Sequence, residues 1–192
     1  MPGRFASFAT KSVVTTPMKE KFSKDATLDV AADTSVKSFA IPEITDTPVY
    51  FVALRLTDAS GKQAGSNFYW LSSKQETIDW EKTNWYVTPT ASYADYTALA
   101  KLPKVKLKTT SRTERKGKEA ITHVTLENPS KDLAFFVRLK VNKGKEEILP
   151  VLWQDNYISL LPGEKREISA TYRASELGAE KPSVVVKGWN AE

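Results

Sequence analysis

Seventeen residues, Ile148 to Glu164, constrain the fold more than any other stretch of this chain: ILPVLWQDNYISLLPGE. Ile148, Leu149, Val151, Leu152 and Trp153 are too apolar for a loop and too few for a helix. Pro150 lacks the N–H that a central strand needs, so the run is an edge strand or one that moves from one sheet to another. Asp155 and Asn156 can bond their own backbone to close a corner, and Tyr157 adds a ring with a polar tip. Pro162 and Gly163 supply a preset φ followed by a permissive one, which is a turn into the next strand. Apolar run, corner and turn in that order are what a β-sandwich uses to change sheets.

The rest of the second half reads the same way. Val105–Thr109, Ala120–Glu127, Leu133–Val141, Ile148–Trp153, Ile158–Leu161, Glu167–Tyr172 and Ser183–Gly188 are seven short β runs. Turn signals at Arg115–Gly117, Asn128–Ser130, Asn142–Gly144 and Pro162–Gly163 separate them. Count and spacing predict an all-β sandwich over residues 101–192, with Val124, Leu126, Val137, Leu139, Ile168 and Tyr172 in its core. In the first half, Val49–Thr57 and Phe68–Leu71 read as a hairpin about an Asp58–Gly61 turn, and Ala26–Ala31 with Val36–Ile41 as a shorter pair. That is four strands where a sandwich usually has about seven. The expectation is two sandwiches in tandem: a first over 19–100, incomplete at its N-terminus, and a second over 101–192. Residues 1–18 have no assigned place, being either loosely ordered or paired in a non-standard way. Helical spacing is confined to Tyr93–Leu102 and a single turn at Ala174–Gly178.

Of the 192 residues, 41% are hydrophobic and 27% charged, enough for packed cores. There is no Cys and one His, so thiolate metal sites, disulfides and a His-based triad have no partners, and no metal or cofactor is expected. No apolar run reaches the length of a membrane span. The opening MPGRFASFATKSVV lacks the apolar core of a signal peptide, so no export address is expected in these residues. Lys101, Lys104, Lys106, Lys108, Arg112, Arg115, Lys116 and Lys118 stand against the single anion Glu114, a local +7 within a total of +5. Without interleaved aromatics this is no nucleic-acid footprint. It reads as a solvated strand face whose charges guard an edge.

Residues 148–164 resemble the C-terminal immunoglobulin-like domain of glycoside hydrolase family 2 enzymes of the exo-β-D-glucosaminidase and β-mannosidase type, in the DNYxxLxPGE corner after an apolar run. Val49–Ser72, VYFVALRLTDASGKQAGSNFYWLS, resembles the sandwich that precedes it, and Asp79-Trp80, Asn84-Trp85-Tyr86 and Tyr93-Ala94-Asp95 resemble the family's aromatic connector, about 73–100 here. The resemblance implies immunoglobulin-like sandwiches from an exported or periplasmic retaining β-glycosidase. Their role is to buttress a catalytic barrel domain, their partner, and to wall one side of its cleft. The family's catalytic acids lie on that barrel, so no catalytic residue is expected in this chain.

Asp155 is the most tempting carboxylate, and a corner bonded to its own backbone accounts for it better than catalysis does. His123 alternates out of phase with the apolar residues of its run and belongs on the surface. Trp80, Trp85 and Tyr86 are the candidates for carbohydrate contact, since exposed rings stack on sugars. Against this, large aromatics usually bury, and these would fasten the connector to the sandwiches and to the barrel. Trp70, Trp153 and Trp189 read as packing residues. A free carbohydrate-binding module and a cell-surface adhesion module are the alternatives to an accessory domain. Separated from a barrel, the first domain is expected to self-associate through bare aromatics and a bare sheet edge.

Overall fold

The computed structural model describes residues 5–15 and 18–192, with side chains from residue 18 onward. The chain divides into two compact units, residues 1–101 and 102–192.

In the first unit, β1 (Phe5–Thr15), β2 (Lys19–Val30), β3 (Val49–Thr57) and β4 (Gln63–Ser72) form one antiparallel sheet in the order β2-β1-β3-β4. The β3–β4 hairpin turns where the Asp58 side chain gathers donors. Its Oδ1 accepts from the Ser60 N–H at 2.9 Å, the Ser60 hydroxyl at 2.6 Å and the Lys62 N–H at 3.0 Å. Those bonds, the Ser60 hydroxyl first, hold the carboxyl below its ordinary range. Alternation on β3 divides the apolar residues between the faces. Val52, Tyr50 and Leu54 pack with Leu71, Phe22 and Ile44, while Phe51 is fully buried and stacks on Phe68 at 5.7 Å. β5 (Thr77–Ile78) and β6 (Thr90–Ser92) form a separate two-stranded ribbon.

Two expectations for this unit are corrected. Residues 1–18, assigned no place in the first sandwich, contain β1, which is hydrogen-bonded on both sides, to β2 and to β3. Backbone pairing puts it there; its larger apolar residues, Phe5, Phe8, Val13 and Val14, do not alternate, so no period-two pattern marks the strand. The proposed pairing of Ala26–Ala31 with Val36–Ile41 is absent: β2 runs from Lys19 and takes β1 as its partner, and 36–41 is irregular.

The second unit contains β7 (Lys108–Lys116), β8 (Glu119–Glu127), β9 (Ala134–Lys143), β10 (Glu146–Glu147), β11 (Leu152–Trp153), β12 (Ile158–Leu160), β13 (Lys165–Arg173) and β14 (Pro182–Lys187). One sheet has the order β11-β13-β8-β7 and the other β10-β9-β12, with β14 also on β9. Strict alternation buries Ala120, Thr122, Val124 and Leu126 on β8, and Ile168, Ala170 and Tyr172 on β13. They meet Val137, Leu139 and Val141 of β9 from the other sheet, and all six residues expected in the core are buried. The apolar run after Glu147 changes sheets as its proline requires. Glu147 pairs with Asn142 on β9, and five residues later Leu152 pairs with Thr171 on β13.

The strand expected at Val105–Thr109 instead begins at Lys108 and continues to Lys116, turning at Gly117 (φ 63°). Every residue of β7 is exposed, so its sequence carries no period for apolar reading. Val105 and Leu107 do point inward, and Val105 forms a parallel bridge with Ala191. Two buried amides brace the ends. Asn128 donates to the carbonyls of Asp132 and Leu160 at 2.8 and 2.9 Å. Asn190 accepts from the Phe135 N–H at 2.8 Å and donates to the carbonyls of Leu133 and Pro103 at 2.7 and 2.6 Å.

Candidate functional site

The β5–β6 ribbon lifts residues 79–89 into a loop closed at its base by the Asp79 N–H to the Pro89 carbonyl at 2.9 Å. Two side chains shape it from within. Asp79 accepts from the Lys82 N–H at 3.2 Å and pairs with the Lys82 ammonium at 3.0 Å, while its carbonyl takes the Thr83 hydroxyl at 3.1 Å. Asn84 Oδ1 accepts from the N–H groups of Tyr86 and Val87 at 2.9 and 3.2 Å, and the Asn84 N–H returns to the Val87 carbonyl at 3.0 Å. This is a turn in which an amide side chain imitates backbone. Because polar bonds hold the loop, its rings are not needed as glue. Trp80, Trp85 and Tyr86 are 74%, 93% and 89% exposed.

The expectation that these aromatics bury is therefore corrected within this chain, and Tyr93 is exposed with them. Sequence reading named the rings but passed over Asp79 and Asn84 as the residues that present them. The signal was available: Asx residues immediately ahead of, or two residues from, the aromatics. The connector continues through Asp95, whose N–H donates to the Ser72 hydroxyl on β4 at 3.2 Å. Asp95 Oδ1 accepts from the Thr97 hydroxyl at 2.7 Å and its N–H at 2.9 Å, opening the 3-10 turn Thr97–Lys101. The hydroxyl bond is the main reason its carboxyl lies below the ordinary range.

The corner residues are engaged in holding strands. Asn156 Oδ1 accepts from the Leu139 N–H at 2.8 Å and its Nδ2 donates to the Leu139 carbonyl at 3.0 Å, so one side chain replaces a strand partner of β9. Asp155 Oδ1 accepts from the Asn156 N–H at 2.8 Å, and Oδ2 lies 3.5 Å from Arg166. Tyr157 takes φ 55° and sets its ring 5.1 Å from that of Phe136. After Pro162, Gly163 (φ 72°) donates its N–H to the Asn128 carbonyl at 2.8 Å. Asp155 is thus committed to the corner, and nothing in these contacts gives it a substrate-facing role.

His123 lies on the outer side of the β7-β8-β13 sheet, with Glu114 at 3.4 Å and Glu167 at 3.7 Å. Among the described residues no cluster of His, Cys, Asp or Glu could hold a metal ion. Among the described residues no helix is long and apolar enough to cross a membrane. Trp153 packs against both core clusters. Trp70 and Trp189, expected in packing, are more exposed than that, because Trp70 sits on the edge strand β4 and Trp189 in the corner after β14.

The profile of the exo-β-D-glucosaminidase Ig-fold domain matches residues 85–191. The exo-β-D-glucosaminidase of Streptomyces avermitilis is 39% identical over 180 residues, covering 89% of this chain and 20% of that protein. The crystal structure of Amycolatopsis orientalis exo-chitosanase CsxA superposes with a TM-score of 0.92 at 34% identity, covering 98% of this chain and 23% of that one. A mannosylglycoprotein endo-β-mannosidase of Lilium longiflorum is 32% identical over 82 residues, 38% of this chain. The chain spans about a fifth of the length of the glucosaminidases it matches. The resemblance to glycoside hydrolase family 2 carried by its own residues is thereby established: the chain belongs to the exo-β-D-glucosaminidase Ig-fold domain family.

Proposed function

We propose that this chain is a non-catalytic accessory part of a family 2 exo-β-D-glucosaminidase, working beside a catalytic barrel that cleaves by a retaining double displacement. The carrying observation is the family match over residues 85–191, together with relatives that are enzymes about five times longer than this chain. Glucosaminide specificity is favoured over mannoside because the glucosaminidase likeness extends over most of the chain and the mannosidase likeness over 38% of it. The carboxyls displaced from their ordinary range, Asp46, Asp58, Asp95 and Glu147, are all displaced downward by hydrogen bonds and cations, as turn and ion-pair residues are.

In this reading the units are two immunoglobulin-like sandwiches in tandem, the first completed by strands or surfaces of the parent enzyme. They buttress the barrel and wall one side of its cleft, where Trp80, Trp85 and Tyr86 contact carbohydrate. Membership of an enzyme-borne domain family favours this over a free adhesion module. Isolated from the barrel, the chain self-associates through the first unit, whose edge strand β4 exposes Tyr69 and Trp70. Salt-insensitive dimers in light scattering are the expected result, and a monodisperse monomer removes that part. The main test is hydrolysis of an aryl β-D-glucosaminide. The purified chain should show no turnover, and deleting the segment from a full-length parent should lower the parent's melting temperature. Turnover by the chain alone that falls on Asp155→Asn would overturn the accessory role.

A further inference from the structure

The segment that exposes the rings also carries a net negative charge. Residues 75–100 carry Glu76, Asp79, Glu81 and Asp95 against Lys82, a net charge of −3, and the eighteen residues that follow carry +7. Aromatic exposure and negative charge therefore coincide, and the strongly cationic stretch next in sequence contains no aromatic residue at all. Asp79 is paired with Lys82 and Asp95 is occupied by Thr97. Glu81 is exposed and follows Trp80 directly in sequence, which puts an acid within the ring-bearing loop.

These features select a ligand class. An aromatic face is electron-rich, so it attracts the C–H faces of a sugar ring and, more strongly, a cation within about 6 Å of its centroid. A neutral sugar would use the rings and ignore the charge, and an acidic polymer would be repelled. A sugar that carries an ammonium group uses both. The loop is also built before the ligand arrives: the bonds from Asp79 and Asn84 fix the backbone while leaving the rings in water, so little ordering is left to be done on binding.

We propose that the loop Asp79–Pro89 is a binding site for β-linked glucosamine oligomers, with Trp80, Trp85 and Tyr86 taking sugar faces and Glu81 opposing the C2 ammonium. The identity of the sugar rests on the glucosaminidase reading; the site itself rests on exposure, charge and the pinned backbone. It acts as a secondary subsite that retains a polymer chain, apart from the catalytic acids, which this chain is not proposed to contain.

The test is titration of the 192-residue chain with fully deacetylated glucosamine oligomers, followed by tryptophan fluorescence and calorimetry, with N-acetylated oligomers alongside. Saturable binding of the amine form is expected, weakened about tenfold by Trp85→Ala and largely kept by Trp85→Phe. Glu81→Gln should weaken it about threefold and erase the preference for the amine form, with added salt doing the same to the wild-type chain. Thermal melts of each variant should match the parent's, since both residues are exposed. No saturable signal, equal binding of N-acetylated oligomers, or indifference to Trp85→Ala would each overturn the site. Binding by the chain that disappears in the full-length enzyme, with the rings then shielded from a soluble quencher, would assign the loop to docking and overturn it too. These failures remove carbohydrate contact at Trp80, Trp85 and Tyr86 but leave the non-catalytic accessory role standing, which fails only if the chain itself turns over substrate or its removal leaves the parent unaffected.

Discussion

The two units use their large apolar residues in opposite ways. In the second, strands β8, β9 and β13 bury mostly apolar residues in alternation, with Thr122 a polar member, and Trp153 is drawn into contact with both core clusters. In the first, the described buried apolar residues are Ile44, Val49, Phe51, Val52 and Leu99, while Trp80, Trp85, Tyr86 and Tyr93 stand in water. Burial of apolar area is the main favourable term in folding, so the connector rings, left in water, add little to the stability of the first unit. Polar bonds take over locally: Asp58, Asp79, Asn84 and Asp95 each hold a turn that no core supports. Such bonds define geometry well but contribute only about 0.5–1.5 kcal/mol each.

The contrast breaks most visibly if the units are separated. Residues 102–192 alone should melt in one cooperative transition, and residues 1–101 alone should not; a sharp transition from the first unit would show that its sheet is self-sufficient. A finer cut compares equivalent truncations. Leu139→Ala in the second core should cost about 2–5 kcal/mol in denaturant unfolding, and Leu54→Ala on the half-covered sheet clearly less. Equal losses would place both leucines in cores of the same quality.

Packing density gives a third comparison. A Cβ added at Gly188 would meet the Ala191 Cβ at 2.9 Å and the Phe135 carbonyl oxygen at 3.1 Å, whereas one at Gly65 of β4 would meet nothing within 4 Å. Gly188→Ala should therefore destabilise by about 1–3 kcal/mol and Gly65→Ala hardly at all, both read from thermal midpoints.

The smallest expected effect is electrostatic. Glu147 lies 2.8 Å from Lys140 and 2.9 Å from Arg138, and the Lys140 bond leads in holding its carboxyl below the ordinary range. A carboxyl depressed in the folded state contributes stability that is complete above its unfolded pKa and is lost as pH falls through the folded value. Glu147→Gln should accordingly cost less than about 1 kcal/mol near neutrality and flatten the loss of stability on the acid side of the ordinary Glu range.

How far each unit could be read from sequence follows the same contrast. The corner at Asp155–Gly163 and the alternation of β8, β9 and β13 were legible because burial leaves a period and turns leave Asn, Pro and Gly. β7 was misplaced because all of it is exposed, and β1 was missed because its apolar residues follow no period of two, while backbone pairing on both sides holds it in the sheet regardless. The direction of the connector rings was illegible for a different reason. Aromatics bury by default, and the departure depends on Asp79 and Asn84 holding the loop without them.

The side chain of Asn190 has a consequence for synthesis. It bonds Pro103, 87 residues earlier, while the Leu107 N–H reaches the Glu192 carbonyl and Val105 bridges to Ala191. The first residues of the second unit thus find their partners among its last. As the chain leaves a ribosome, Val105 and Leu107 are made early and wait without backbone partners until residues 190–192 emerge. Closure over so long a loop is entropically costly and slow. The unit should therefore mature only after its final residues are free, and translational pausing ahead of Asn190 would hold it open with part of its core wet.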